Sequence, residues 1–137
     1  MIRELEGGCL CGAVRYRIAG PHIDAGYCHC RLCQRSAGAP VLAWMTVPAA
    51  AFSYLAGTPT VYRSSAHSQR EFCPRCGTQL VFRRQQEART VDVTLASLDE
   101  PAGVLPEYHI WCESRIPWFD THDALPRHQE AGPDRHD

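Results

Sequence analysis

The chain has 137 residues, of which 45% are hydrophobic and 21% charged, a length and balance that fit one globular domain and leave no room for a second. Lys+Arg number 14 against 15 Asp+Glu, a net charge of -1, so no excess positive field holds a phosphate backbone and nucleic acid is excluded as a non-specific partner. No segment approaches the roughly 18 consecutive apolar residues of a membrane helix, and Met1 to Glu6 lacks the apolar run of a signal peptide, so a cytoplasmic protein with no membrane partner is expected.

From Ala13 to Ala19, Val14, Tyr16 and Ile18 alternate with Arg15 and Arg17, the period of a half-buried strand that Gly20-Pro21 ends. A short helix is expected at Leu32 to Ala37, a strand at Val41 to Val47, and a second short helix at Pro48 to Phe52, where Pro is tolerated in the first turn. Strands follow at Thr60 to Tyr62, Gln79 to Phe82, Thr90 to Leu95 and Tyr108 to Trp111, most with Gly, Pro, Ser or Asp close by. From about Pro126 to Asp137 the chain is polar, carries His128 and His136 and has no apolar period, so a domain over residues 1–125 is expected to end in a loose tail over 126–137. The fold class is mainly β, with one or two short helical turns.

Eight cysteines in a chain expected to stay reduced point to metal ligands or catalytic groups before disulfides. They fall as Cys9-Leu10-Cys11, Cys28-His29-Cys30-Arg31-Leu32-Cys33, Cys73-Pro74-Arg75-Cys76-Gly77 and a lone Cys112. Two cysteines separated by two residues can close a turn whose N–H groups face the sulfurs, and Gly77 permits the left-handed conformation that completes it. Cys9 and Cys11 complement Cys73 and Cys76, so these four are expected to make a structural zinc site tying the N-terminal strand to a distant turn. Cys28, Cys30 and Cys33 can all reach one ion while leaving a position open, which is how a catalytic zinc is built. A thiolate-rich zinc is a modest Lewis acid suited to holding and exchanging a soft sulfur ligand, which favours thiol chemistry.

Competing readings exist for each group. A redox dithiol at Cys73/Cys76 would need the βαβ context of a thioredoxin-like motif, which is missing. The middle trio could instead be a closed structural site with Cys112 or a histidine as fourth ligand. Cys112 itself reads as a small buried core residue, and Trp44, Trp111, Trp118 and Phe119 read as core, with Trp118 able to line a pocket. His29, between two ligands, is expected to point away from the metal.

Gly8-Cys9-x-Cys11-Gly12, Cys28-His29-Cys30-x-x-Cys33 followed by Gly38-Ala39-Pro40, Phe72-Cys73-x-x-Cys76-Gly77, His109-Ile110-Trp111 and Pro117-Trp118 together resemble the glutathione-dependent formaldehyde-activating enzyme family, which also contains centromere protein V. The likeness covers roughly residues 5 to 120 and rests on seven cysteines in order and spacing. It implies a β-tent fold, a structural zinc on Cys9, Cys11, Cys73 and Cys76, and a second, catalytic zinc on Cys28, Cys30 and Cys33. It also implies a carbon–sulfur lyase-type activity in which a thiol such as glutathione adds to a small aldehyde, the open zinc position receiving substrate sulfur or oxygen.

On that reading, Arg31, Arg35, Arg63 and Arg70 are candidates to hold the carboxylates of a glutathione-like thiol. His29 and His67 are the candidate proton shuttles, because an unperturbed imidazole titrates near pH 6.5. Two rivals are a non-catalytic zinc-stabilised binding module and a redox enzyme with Cys112 as nucleophile.

Overall fold

The computed structural model describes residues 4–85 and 89–132. Along them run β1 (Glu4–Gly8), β2 (Arg15–Ala19), β3 (Asp24–Cys28), α1 (Arg31–Ala37), β4 (Leu42–Pro48), β5 (Phe52–Ala56), β6 (Thr60–Ser65), β7 (Ser68–Phe72), β8 (Gln79–Arg84), β9 (Thr90–Thr94) and β10 (His109–Ile110). A three-stranded sheet has the order β1-β2-β5, and a seven-stranded sheet the order β10-β3-β4-β9-β8-β7-β6. Every pairing is antiparallel except β10 on β3. The fold is therefore mainly β, as the alternation in the sequence predicts.

The main core takes Val14, Tyr16 and Ile18 from the small sheet and Met45, Val47, Leu80, Val81, Val91 and Val93 from the large one. Because successive strand residues face opposite ways, the same alternation sends a different set to the other face of the large sheet. The register there aligns Asp24 with Thr46, Thr46 with Asp92, Asp92 with Phe82, and Phe82 with Arg70. Gly26 stands opposite Trp44 in the neighbouring row. This face carries polar and aromatic residues rather than aliphatic ones, and it becomes the floor of a cavity.

Four strands, β1, β3, β5 and β7, are absent from the sequence reading. In β7 the buried residues are Arg70 and Glu71, so a charge sits where the pattern demands an apolar residue. The helix expected at Pro48 to Phe52 is corrected: Ala49–Ala51 make a single 3-10 turn, and Phe52 opens β5. Phe52 is drawn there by stacking on Tyr16, ring centroids 5.4 Å apart, and by pairing with Ile18 of β2.

The stretch expected to be loose from Pro126 is hydrogen-bonded as far as Glu130. His109 N–H donates to the Pro126 carbonyl at 2.8 Å, His128 N–H to His109 at 2.9 Å, and Trp111 N–H to Glu130 at 3.0 Å. Arg127 pairs with His109 as a parallel bridge, so these residues extend the sheet beyond β10. Residues 133–137 lie outside the described residues.

Candidate metal centres

Two cysteine clusters stand out, Cys9, Cys11, Cys73 and Cys76 in one and Cys28, Cys30 and Cys33 in the other, each with its sulfurs within 4.8 Å of one another. None of the eight cysteines forms a disulfide. In the first cluster Sγ of Cys11 lies 3.7 Å from Cys9 and 3.8 Å from Cys73. A tetrahedron of thiolates around zinc, with bonds of about 2.3 Å, has an edge of about 3.8 Å. The spacing therefore fits a four-coordinate metal without rearrangement.

The turns that build this cluster follow from their glycines. Gly12 and Gly77 both adopt φ of 81°, the left-handed conformation that glycine enters at no steric cost. Backbone N–H groups then face the sulfurs, Val14 reaching Cys9 at 3.2 Å and Arg75 reaching Cys73 at 3.3 Å. Thr78 joins the two turns, accepting from Leu10 N–H at 3.0 Å while its hydroxyl lies 3.2 Å from Cys76 Sγ. That contact holds the Cys76 thiol down at about 5, so this sulfur favours thiolate before a metal arrives, whereas burial and the neighbouring sulfurs push Cys11 up to about 11.

The second cluster sits where β3 passes into α1. Cys30 is the N-cap of α1, its sulfur accepting from Cys33 N–H at 3.3 Å, and Gly38 ends the helix in the left-handed region with φ of 62°. No fourth His, Cys, Asp or Glu among the described residues joins the trio. Cys112 stands apart in a 3-10 turn at Cys112–Ser114, half-buried rather than in the core. Burial pushes its thiol up, the opposite of what a thiolate nucleophile needs.

Electrostatics in the trio follow from crowding. Hydrogen bonds from Cys28 and then Cys33 pull Cys30 well below the ordinary thiol range, aided by the nearby Arg70 cation. The same contacts, with Cys30 and then Cys33, push Cys28 up. One sulfur thus carries the charge while the others keep protons, and full deprotonation calls for a divalent cation. Trp44 Nε1–H donates to Cys33 Sγ at 3.4 Å, and Arg70 Nη2 lies 4.0 Å from the same sulfur. Arg70 is only 9% exposed, and no carboxylate pairs with it among the described ion pairs.

The trio opens on a cavity of about 330 Å³. Trp44 and Trp111 pack against the small core of Cys28, Cys33, Tyr108 and Ile110, as expected, and also line the cavity, whereas Trp118 is corrected: it is 75% exposed and outside both. Of the four candidate arginines only Arg70 reaches the cavity; Arg31, Arg35 and Arg63 are exposed elsewhere. Arg84, which the sequence did not single out, also lines it. Its signal was positional: it lies two residues from Phe82 and therefore on the same face of β8.

Neither candidate proton shuttle lines the cavity. His67 is exposed in the β6–β7 turn. His29 is buried, with Nε2 2.8 Å from Nδ1 of His109, whose Nε2 lies 3.1 Å from both carboxylate oxygens of Asp123. Asp123, held down to about 2 chiefly by the Thr121 hydroxyl, can only accept, so the proton on His109 sits on Nε2. The other ring nitrogen of His29, Nδ1, is buried and has no hydrogen-bond partner among the described residues. Burial, and then the field of His109, lower His29 to about 4. The pair clamps the backbone between Cys28 and Cys30, helped by His29 N–H donating to Ile110 at 3.0 Å.

Several known proteins are similar to this chain. A protein of Halomonas elongata that carries the formaldehyde-activating name is 27% identical over 125 residues, covering 85% of this chain and 80% of that one. An uncharacterized lyase of Schizosaccharomyces pombe is 32% identical over 79 residues, 58% of this chain and 57% of that protein, so the chain spans little more than half of it. A crystal structure of a Rhodobacter sphaeroides protein superposes with a TM-score of 0.58 at 18% identity, over 90% of this chain and 98% of that one, a likeness of fold alone. Residues 4–114, which include both cysteine clusters, match the profile described as glutathione-dependent formaldehyde-activating enzyme, and the chain belongs to that family.

Proposed function

We propose that this chain is a zinc-dependent carbon–sulfur lyase-like enzyme acting on adducts of a small thiol with an aldehyde. The observation that carries the reading is a three-thiol site with no fourth protein ligand among the described residues, open to a cavity that also holds a buried arginine. The two clusters suit two zinc ions of different duty, a structural one on Cys9, Cys11, Cys73 and Cys76 and a catalytic one on Cys28, Cys30 and Cys33. The names of the relatives support the same chemistry.

Zinc on the trio would supply an open coordination position for substrate sulfur or oxygen. Around it the chain's own groups set the charge. Three thiolates, a divalent cation and the Arg70 guanidinium sum to no net charge, so Arg70 makes room for the negative charge of an entering thiolate. Trp44 withdraws electron density from Cys33 through its N–H donation, which keeps that sulfur a ligand rather than a competing nucleophile. In the addition direction the substrate sulfur forms a bond to the carbonyl carbon. The π pair moves to oxygen, which takes up the proton lost by the thiol; cleavage runs the same steps backwards.

The test is a screen of metal-loaded protein with several thiols and aldehydes, following adduct formation or breakdown above the uncatalysed rate. Cys30→Ser should abolish acceleration while the protein keeps its near-UV signature and its first metal. A protein that binds two metals and accelerates no pair would be a zinc-stabilised binding module instead.

A further inference from the structure

The cavity beside the trio is built for something other than the charged peptide of glutathione. Its apolar walls are Leu32, Trp44, Phe82, Tyr108, Ile110 and Trp111, and its polar side chains are three serines, Thr46, Asp92 and two arginines, with the Asp92 carboxylate already accepting from the Thr46 hydroxyl at 2.7 Å. Tyr108 lies flat over Gly26, where any Cβ would overlap its ring, and its hydroxyl is pinned by Asp24 at 2.8 Å. Trp44 and Phe82 meet edge to face at 6.2 Å. These are fixed aromatic surfaces rather than mobile side chains.

The cations do not offset that character. Glutathione carries two carboxylates and an ammonium, which ask for at least two available cations and an anion. Arg70 has its Nη1 edge committed to Gln79 at 2.8 Å and Ser36 at 3.4 Å, its Nη2 beside Cys33, and its plane against Phe82 at 5.0 Å and Trp44 at 5.9 Å. So placed, it balances charge at the sulfurs and does not present a free fork to a distant carboxylate. Arg84 is stacked on Phe82 at 5.6 Å and has a further partner of its own.

We infer that the preferred substrate is a thiol–aldehyde adduct bearing an aryl-sized apolar group seated on the Trp44, Phe82, Tyr108 and Trp111 surfaces, and not the glutathione adduct of formaldehyde. This rests on the lyase reading above and narrows it. An apolar group of that size could enter on either half of the adduct, as an aromatic aldehyde or as an aromatic thiol, and the two arms of the test separate these sources. Either way the balance is unchanged: one carbon–sulfur bond forms as one carbonyl π bond is lost, with the thiol proton ending on oxygen.

Metal-loaded protein is titrated with benzyl mercaptan, 2-mercaptoethanol and glutathione, following the fluorescence of the cavity tryptophans. Benzyl mercaptan should bind about tenfold to a hundredfold more tightly than 2-mercaptoethanol, the range expected from burying one aromatic ring, and more tightly than glutathione. In Phe82→Ala that margin over 2-mercaptoethanol should fall at least about threefold. Turnover is then compared for benzaldehyde with 2-mercaptoethanol, formaldehyde with benzyl mercaptan, and formaldehyde with glutathione, one of the first two leading. Glutathione binding as tightly as benzyl mercaptan, or its adduct being handled fastest, overturns the inference. Aromatic preference in binding without turnover of any pair would sink the lyase reading, and with it the substrate assignment, leaving only the aromatic binding preference of the cavity.

Discussion

Replacing Arg70 with Met removes a buried cation but keeps much of the side chain's bulk. Without a metal, only Cys30 of the trio carries charge, and loading exchanges two protons for a divalent ion, so the net charge of the cluster does not change. Arg70→Met should therefore leave metal content nearly intact. An entering thiolate does change that charge, by one. Arg70 lies 4.0 Å from Cys33 Sγ, and an entering sulfur about 5–6 Å away, at an effective dielectric of about 20, is stabilised by about 3 kcal/mol. The variant should lose about a hundredfold in kcat/KM for the thiol, and the pH at which the bound thiol deprotonates should rise by about 2 units. Arg70→Lys, which keeps the charge, should recover a large part of both. The assay is kcat/KM against pH with metal measured on the same samples. An unshifted profile in a fully loaded Arg70→Met protein would refute the charge argument, as would a loss fully explained by missing metal.

Cys73, fully buried in the four-cysteine site, joins the two sheets, and structural zinc is worth about 10 kcal/mol or more in small domains, comparable with the whole stability of a typical fold. Cys73→Ser should lose both metals and its near-UV circular dichroism, whereas Cys30→Ser keeps one metal; a folded Cys73→Ser protein would show that this site is dispensable. His29 is held neutral at about 4, below its ordinary value of 6.5, so the folded state resists a proton that the unfolded chain accepts. Its contribution is complete above about pH 6.5 and declines as pH falls towards 4, by about 3 kcal/mol. In denaturant unfolding at pH 7 and pH 4.5, wild type should lose about 2 to 3 kcal/mol more than His29→Gln; parallel losses would refute this account of the histidine.

The cysteine spacing made both cysteine clusters legible in advance, because a knuckle is a local object: Cys73, Cys76 and Gly77 carry their turn with them. The helix at Arg31–Ala37 and the strand at Leu42–Pro48 were legible for the same local reason. What stayed hidden was created by register. Arg70, Phe82, Asp92 and Thr46 form one row only after four strands have aligned, and the position of Arg84 two residues from Phe82 becomes informative only once Phe82 is known to line the cavity. The His29–His109 pair joins residues separated by 80 positions, and its lock on the Cys28–Cys30 loop depends on β10 running parallel to β3. The ordered run past Pro126 was illegible because its partners are backbone groups, which leave no trace in side-chain periodicity.

The four-cysteine site also sets the order in which a nascent chain can mature. Cys11 must meet Cys73, 62 residues later, so the N-terminal ribbon waits through several seconds of synthesis, at about 5–20 residues per second. Throughout that interval two thiols and the inner face of the small sheet lie bare to oxidants and to stray copper. If the site takes zinc, as proposed, a cell short of it would accumulate ribosome-released chains stalled at this step, and the shortage would be felt as failed production of the protein before it was felt as slow turnover.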